Sequence, residues 1–257
     1  MEFSQYLIAI AGGFIAGAIN TLAGNGSAIT LTILTEILQL PPNIANGTNR
    51  IGVFFQTSLG AFEFYRHGKL QLRRSGLYIL ITIIGSVGGV ATAIMVTHAQ
   101  FKAVFSYLLV FMLITILVKP GRWLKPSEQS FRLPLWASIP LFLALGFYGG
   151  FIQMGMGIFF LAAMVLLARY SIIEGNAVKL FVVGAYTFIV ILIFQWRGLI
   201  DWQAGLIMAI GQSAGGWLTA NLAARLPGAS VWAYRLLVVI VVLAILLAFD
   251  LLSLTPH

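Results

Sequence analysis

An apolar helix that breaks part-way along constrains a chain more than an unbroken one does. The freed backbone N–H and C=O groups need partners wherever they lie, and lipid supplies none. This 257-residue chain carries two such breaks, roughly half its length apart. The first half contains Gly17-Ala-Ile-Asn-Thr-Leu-Ala-Gly-Asn-Gly-Ser27, then Pro41-Pro42, then Asn46-Gly-Thr-Asn-Arg50. The second contains Gly149-Gly-Phe-Ile-Gln-Met-Gly-Met-Gly157, then Asn176-Ala-Val-Lys179. The spacing predicts a structural repeat. Paired Gly-interrupted apolar segments at matching positions mark the binding site of a secondary transporter.

Composition fixes the solvent. Apolar residues make up 60% of the chain and charged residues 9%, against about 25% charged in a soluble domain. Runs such as Gly76 to Met95 suit apolar helices rather than the alternating strands of an outer-membrane barrel. The net charge of +8 does not point to nucleic acid, because the basic residues cluster in short loops. Arg66, His67, Lys69, Arg73 and Arg74 form one cluster; Lys119, Arg122, Lys125 and Arg132 form another. Such clusters orient membrane helices. The chain has no cysteine, so it has no disulfide, thiolate metal site or cysteine nucleophile. The start, with Glu2 and no basic stretch, is not read as a cleaved signal peptide.

The predicted fold is an all-α polytopic membrane protein. Five helical segments fall in each half, at about 4–23, 27–40, 46–65, 75–97 and 101–119, then 134–153, 156–169, 175–196, 202–224 and 231–252. The first repeat takes residues 1–119, a cytoplasmic linker 120–133, and the second repeat 134–257. In each repeat the first two segments form a broken helix or helical hairpin and three spans follow. An odd number of crossings inverts the second repeat relative to the first. Loop charges agree with both termini outside: Arg66–Arg74 and Lys119–Arg132 lie inside, the neutral Arg197–Asp201 loop outside. Arg169 and Lys102 fit this topology less cleanly. The breaks at Gly24 and Gly26, and at Gly155 and Gly157, belong in the interior. Gly68 and Gly198 open matching loops, while Gly85, Gly88 and Gly89 correspond to Gly211, Gly215 and Gly216. These last suit close helix packing better than substrate contact.

Arg50 and Lys179 are the informative charges, each at the start of an apolar span, with Asn49 aligned on Lys179. As a pair they can clamp a small anion, the guanidinium as a fork and the ammonium as a point charge. The competing reading has each one snorkel to water. Asn20 and Gln153 come into register when Gly17 is set on Gly150, and each amide can either donate to an oxyanion or brace the broken backbone. Ser27, Thr30 and the helix start beside them add a positive end. Asn46, Thr48 and Asn49 add uncharged donors beside Arg50. Gln56 and Gln212 suit structural roles. Proton coupling has no mid-span acid; Glu63 is the nearest candidate. No phosphate loop, metal cluster or hydrolytic triad is present, so no enzyme, metal or cofactor is expected.

Ala18-Ile-Asn-Thr-Leu-Ala-Gly-Asn-Gly-Ser27, Leu40-Pro-Pro42 and Ala45-Asn-Gly-Thr-Asn-Arg50 together resemble the sulfite exporter TauE/SafE family. The second-half break, Asn176 to Lys179 and Gly198-Leu-Ile-Asp-Trp202 extend the resemblance across the chain. It departs at Val178, where the family usually has Thr or Ser, so no hydroxyl is expected beside Lys179. The resemblance implies a duplicated permease of the bacterial inner membrane with about eight nominal transmembrane helices. It implies substrates such as sulfite, sulfoacetate or related organosulfur anions, and it alone suggests export. The resulting expectation is a carrier working by alternating access, its anion held by Asn20, Ser27, Thr48, Asn49 and Arg50 on one side and Gln153 and Lys179 on the other. Its partners are the small anion, the bilayer and an unspecified coupling ion, with room for a homo-oligomer and none for nucleic acid. The alternatives are a non-transporting membrane subunit or scaffold, disfavoured by the short linker, and an anion channel, distinguished by non-saturable flux.

Overall fold

The breaks appear where the glycines place them. The structure, a computed structural model, describes residues 3–93, 113–114, 117, 120–151 and 153–248, and these are helical with no strand among them. The helices are α1 (Phe3–Leu22), α2 (Gly26–Thr32), α3 (Pro42–Arg66), α4 (Leu72–Ala93), the short α5 (Pro120–Trp123), α6 (Leu135–Phe151), α7 (Met156–Ala162), α8 (Ile172–Trp196), α9 (Trp202–Arg225) and α10 (Ala229–Ala248). The predicted segment 101–119, with Lys102, lies almost wholly outside the described residues. Among the described residues, three helices are long and apolar enough to cross a membrane: Ser4–Leu22, Leu72–Thr92 and Ile172–Trp196. The 25-residue α3 has the length, at about 1.5 Å per residue, but carries Asn46, Asn49, Arg50, Gln56 and Glu63 along its course.

Local signals repeat from half to half. α3 starts with Pro42 in its first turn, further upstream than the pattern of apolar residues suggests. Its counterpart α8 starts at Ser171, whose hydroxyl accepts the Glu174 N–H. α2 and α7 each run into a π-helical turn, Ile33–Ile37 and Ala163–Leu167. Both turns close with a five-residue hydrogen bond, Leu38 N–H to Ile33 O and Ala168 N–H to Ala163 O. Both are followed by a left-handed residue, Gln39 at φ 55° and Arg169 at φ 59°. α3 and α8 end alike, with Lys69 N–H on Phe64 O and Leu199 N–H on Phe194 O around the left-handed Gly68 and Gly198.

Packing crosses between the halves. α1 lies along α9, and α6 lies along α4, while α3 and α8 pack on each other. Gly13 and Gly17 abut the carbonyls of Met208 and Gln212; Gly146 and Gly150 abut those of Thr82 and Ser86. A Cβ at Gly17 would stand 2.1 Å from Gln212 O, and one at Gly146 would stand 2.0 Å from Thr82 O. Backbones this close need glycine, as expected for helix association in lipid. These contacts correct one register. Gly17 and Gly146 meet equivalent positions of α9 and α4, so the counterpart of Asn20 is Gly149 and not Gln153.

The two halves are not equally tight. α9 follows α3 far more extensively than its counterpart α4 follows α8. Gly47, Gly52, Gly205 and Gly216 line the tight contact, against Leu199, Gln212, Ile51 and Gln56 respectively. The matching positions of the looser pair are Ala177, Val182, Ser75 and Ser86, each of which carries a Cβ where the tight pair has glycine. Beside that looser contact an apolar cavity of about 550 Å³ opens between α3 and α8, lined by Phe54, Phe62, Tyr65, Phe181 and Phe188.

Candidate functional site

The two breaks touch. Gly24, at φ 87°, sits backbone to backbone with Gly157, and a Cβ on either would come within 2.8 Å of the other's main chain. Gly26 is pressed against the Ala16 carbonyl, and Gly155, at φ 76°, starts α7 in the left-handed region. Around this crossing lies a small central cavity of about 10 Å³, room for one water at most. Its lining comes from both halves and includes Asn20, Ser27, Thr57, Gln153, Lys179 and Tyr186.

Each buried cation serves the broken helix of the opposite half. Lys179 is 1% exposed, and its Nζ donates to Asn20 O at 2.8 Å, Thr21 O at 3.0 Å and Asn176 Oδ1 at 2.6 Å. Asn176 Nδ2 in turn donates to Leu22 O at 3.1 Å. These are the last carbonyls of α1, which the helix itself leaves without partners. The C-terminal end of a helix is its negative end, so a cation there is favourable. Arg50 is 0% exposed and treats α6 in the same way: Nη1 donates to Gly149 O at 3.2 Å and Nη2 to Asn46 Oδ1 at 3.4 Å. Asn20 and Gly149 are equivalent, and so are Asn46 and Asn176. Neither cation snorkels to water. All three Lys179 donors are used within the protein, whereas Arg50 Nε has no hydrogen-bond partner.

Polar side chains knit the rest. Asn20 Nδ2 donates to Gln56 Oε1 at 2.6 Å, and Gln56 Nε2 donates to Thr21 Oγ1 at 2.9 Å. Thr30 Oγ1 donates to Asn49 Oδ1 at 2.6 Å, which leaves Asn49 Nδ2 buried without a partner. Gln153 Oε1 and Tyr186 Oη are likewise buried and unpartnered. Buried polar atoms seldom remain so; of these three residues, Gln153 and Tyr186 line the central cavity. Glu63 is also buried, toward the far end of α3, with Arg66 Nη1 at 3.6 Å and His67 Nδ1 at 3.5 Å from its carboxylate.

The sequence profile of the sulfite exporter TauE/SafE family matches residues 9–249, a span that contains both breaks and both cations. The chain belongs to that family. It is 29% identical over 243 residues to a protein of Sinorhizobium sp named "Probable membrane transporter protein ORF9", a match covering 92% of this chain and 90% of that one. It is 27% identical over 217 residues to a "Probable membrane transporter protein" of Haemophilus influenzae, covering 83% and 82%. No solved structure matches the chain. This TauE/SafE member is a membrane transporter.

The TauE/SafE fold thus brings Asn20, Ser27, Gln153 and Lys179 onto the central cavity, with Asn49 and Arg50 buried as well. Thr48 points elsewhere: its Oγ1 accepts the Asp201 N–H at 2.9 Å and ties α3 to the Gly198–Trp202 loop. Asn46, expected as a donor beside Arg50, instead accepts from Arg50 Nη2. Two participants escape the reading of motifs. Asn176 is visible in the sequence as a neighbour of Lys179, yet only the structure makes it that cation's partner. Tyr186 sits one repeat length after Gln56, a relation that appears once α3 and α8 are superposed in register.

Proposed function

We propose that this TauE/SafE protein is a secondary transporter that exports a small anion, sulfite or an organosulfonate, across the bacterial inner membrane. The two halves act as inverted-topology repeats and expose a shared site to each side in turn. What supports the reading is the convergence of both broken helices, and of polar groups from both halves, on one small cavity next to two buried cations. Loading widens the cavity, and the anion takes donors from Asn20, Ser27 and Gln153, from the unused edge of Arg50, and from Asn49 Nδ2. Lys179 contributes its charge through space while it holds the end of α1. An anion channel is the second reading, distinguished by its non-saturable flux.

The test is flux of sulfite and small sulfonates in liposomes containing the purified protein, with Arg50→Ala and Lys179→Ala alongside. Saturable flux lost in Arg50→Ala, in protein that still folds, is the expected result. Wild-type flux in Arg50→Ala would remove the site assignment, and non-saturable flux would favour the channel.

A further inference from the structure

A second group of cations, from buried to exposed, lies away from the central cavity, where α5 and the linker meet the start of α4 and the end of the second π-helical turn. Arg122 has a side chain only 12% exposed, and none of Nε, Nη1 and Nη2 makes a hydrogen bond. Its ionic neighbour Glu128 stands at 4.0 Å and is already engaged by Arg169 Nη1, at 3.0 and 3.1 Å to its two oxygens. Arg74, 8% exposed, donates from Nη2 to Glu128 O at 2.8 Å and lies 3.8 Å over the Tyr170 ring, while its Nε and Nη1 have no partner. The Tyr170 hydroxyl, in a residue 1% exposed, is also without a partner. Arg122 loses proton affinity first through burial; Glu128 restores some, and Arg169 and Arg74 remove more. Arg132 and Glu174 both act on the same tyrosine through space.

Buried guanidinium N–H groups without acceptors are costly. The nearby carboxylates, Glu128 and Glu174, are outnumbered by Arg74, Arg122, Arg132 and Arg169, and Glu174 is already engaged by Gln71 Nε2 at 3.1 Å and by the Ser127 hydroxyl. The unmet need is therefore for an oxyanion that accepts several N–H bonds at once, which phosphate geometry satisfies at arginine. The surroundings suit a membrane interface: Leu135 and Trp136, at the start of α6, are 59% and 80% exposed. Basic recesses between helices at such an interface take phosphate-bearing headgroups. The position of Arg74 in α4 corresponds to Ala204 in α9, so the recess has no copy in the other half. It lies outside the duplicated central machinery.

We propose that Arg74, Arg122 and Tyr170 form a second anion site, separate from the transport site, that binds a phosphate group. The phosphate is supplied either by an anionic phospholipid headgroup or by a soluble phosphate. The experiment uses the delipidated full-length protein in detergent, with thermal unfolding followed by tryptophan fluorescence. One arm titrates inorganic phosphate against chloride at equal ionic strength. The other titrates phosphatidylglycerol against phosphatidylcholine. Stabilisation by phosphatidylglycerol alone assigns a lipid headgroup, and stabilisation by inorganic phosphate assigns a soluble ligand. In either case Arg122→Gln is expected to weaken binding by about 10- to 100-fold, from the loss of charge-assisted bonds. Arg122→Lys, which keeps the charge without the fork, gives an intermediate loss and serves if the glutamine variant folds poorly. Lys125→Gln, exposed on the same linker, leaves binding unchanged. No stabilisation of wild type by either probe, or equal binding in both Arg122 variants and wild type, overturns the proposal.

Discussion

Replacing Lys179 with methionine separates its work on the helix end from any contact with an anion. Methionine keeps much of the side-chain volume and removes the ammonium. Three acceptors lose a donor: the carbonyls of Asn20 and Thr21 and the Asn176 side chain. The Ile19 carbonyl already takes the Ala23 and Gly24 N–H groups, so the chain has nothing spare to cover the two that follow. A buried polar group left unpaired costs about 1–3 kcal/mol, or roughly 3–9 kcal/mol for three. The ammonium's own desolvation cost disappears with it, and losses on breaking buried charged contacts run at about 3–5 kcal/mol. Lys179→Met should therefore lower unfolding free energy by about 3–5 kcal/mol, measured by reversible denaturant titration in mixed micelles. Lys179→Arg, which retains donors, should lose less. If Lys179→Met were as stable as wild type, the capping argument would be wrong and Lys179 would be free to serve the anion alone.

Three further outcomes follow from the geometry. Gly157→Ala places a Cβ 2.7 Å from Gly24 Cα, against main chain that cannot turn aside, and should cost about 1–3 kcal/mol in the same titration. Gly121→Ala meets nothing within 4 Å and should not be destabilising; equal losses in the two would refute the close crossing. Tyr186→Phe removes a hydroxyl that has no protein partner, so stability should hold while the KM for the transported anion rises about tenfold, or about 1.4 kcal/mol. An unchanged KM would take Tyr186 out of the site. Thr48→Val should cost about 1–3 kcal/mol through the orphaned Asp201 N–H, with KM unaltered; a large KM change would return Thr48 to the anion.

Much of the local structure was legible because short-range chemistry sets it. Glycine pairs broke the apolar segments at Gly24 and Gly155, since left-handed backbone costs glycine least. Gly68 and Gly198 ended α3 and α8, and the Ser171/Glu174 pair started α8 earlier than hydropathy alone suggested. The π-helical turns were not legible. Neither Ile33–Ile37 nor Ala163–Leu167 carries a residue that marks a five-residue hydrogen bond. The Asn20–Gln153 register failed for a related reason: glycines at Gly146 and Gly150 offer two equally good alignments with Gly17, and only the carbonyls they touch choose between them.

The sequence by itself determined that this chain is helical and apolar, with a Gly-interrupted segment and a cation near the start of an apolar span in each half. Tertiary structure alone decided what those cations do. Lys179 reaches carbonyls 159 and 158 residues away, and Arg50 reaches one 99 residues away. Hydrophobic pattern fixes which face of a helix is buried, but it does not say which other helix that face will meet. That choice is made by close backbone contact at the glycines, where α1 fits α9 and α6 fits α4. It sets each cation under the broken helix of the opposite half.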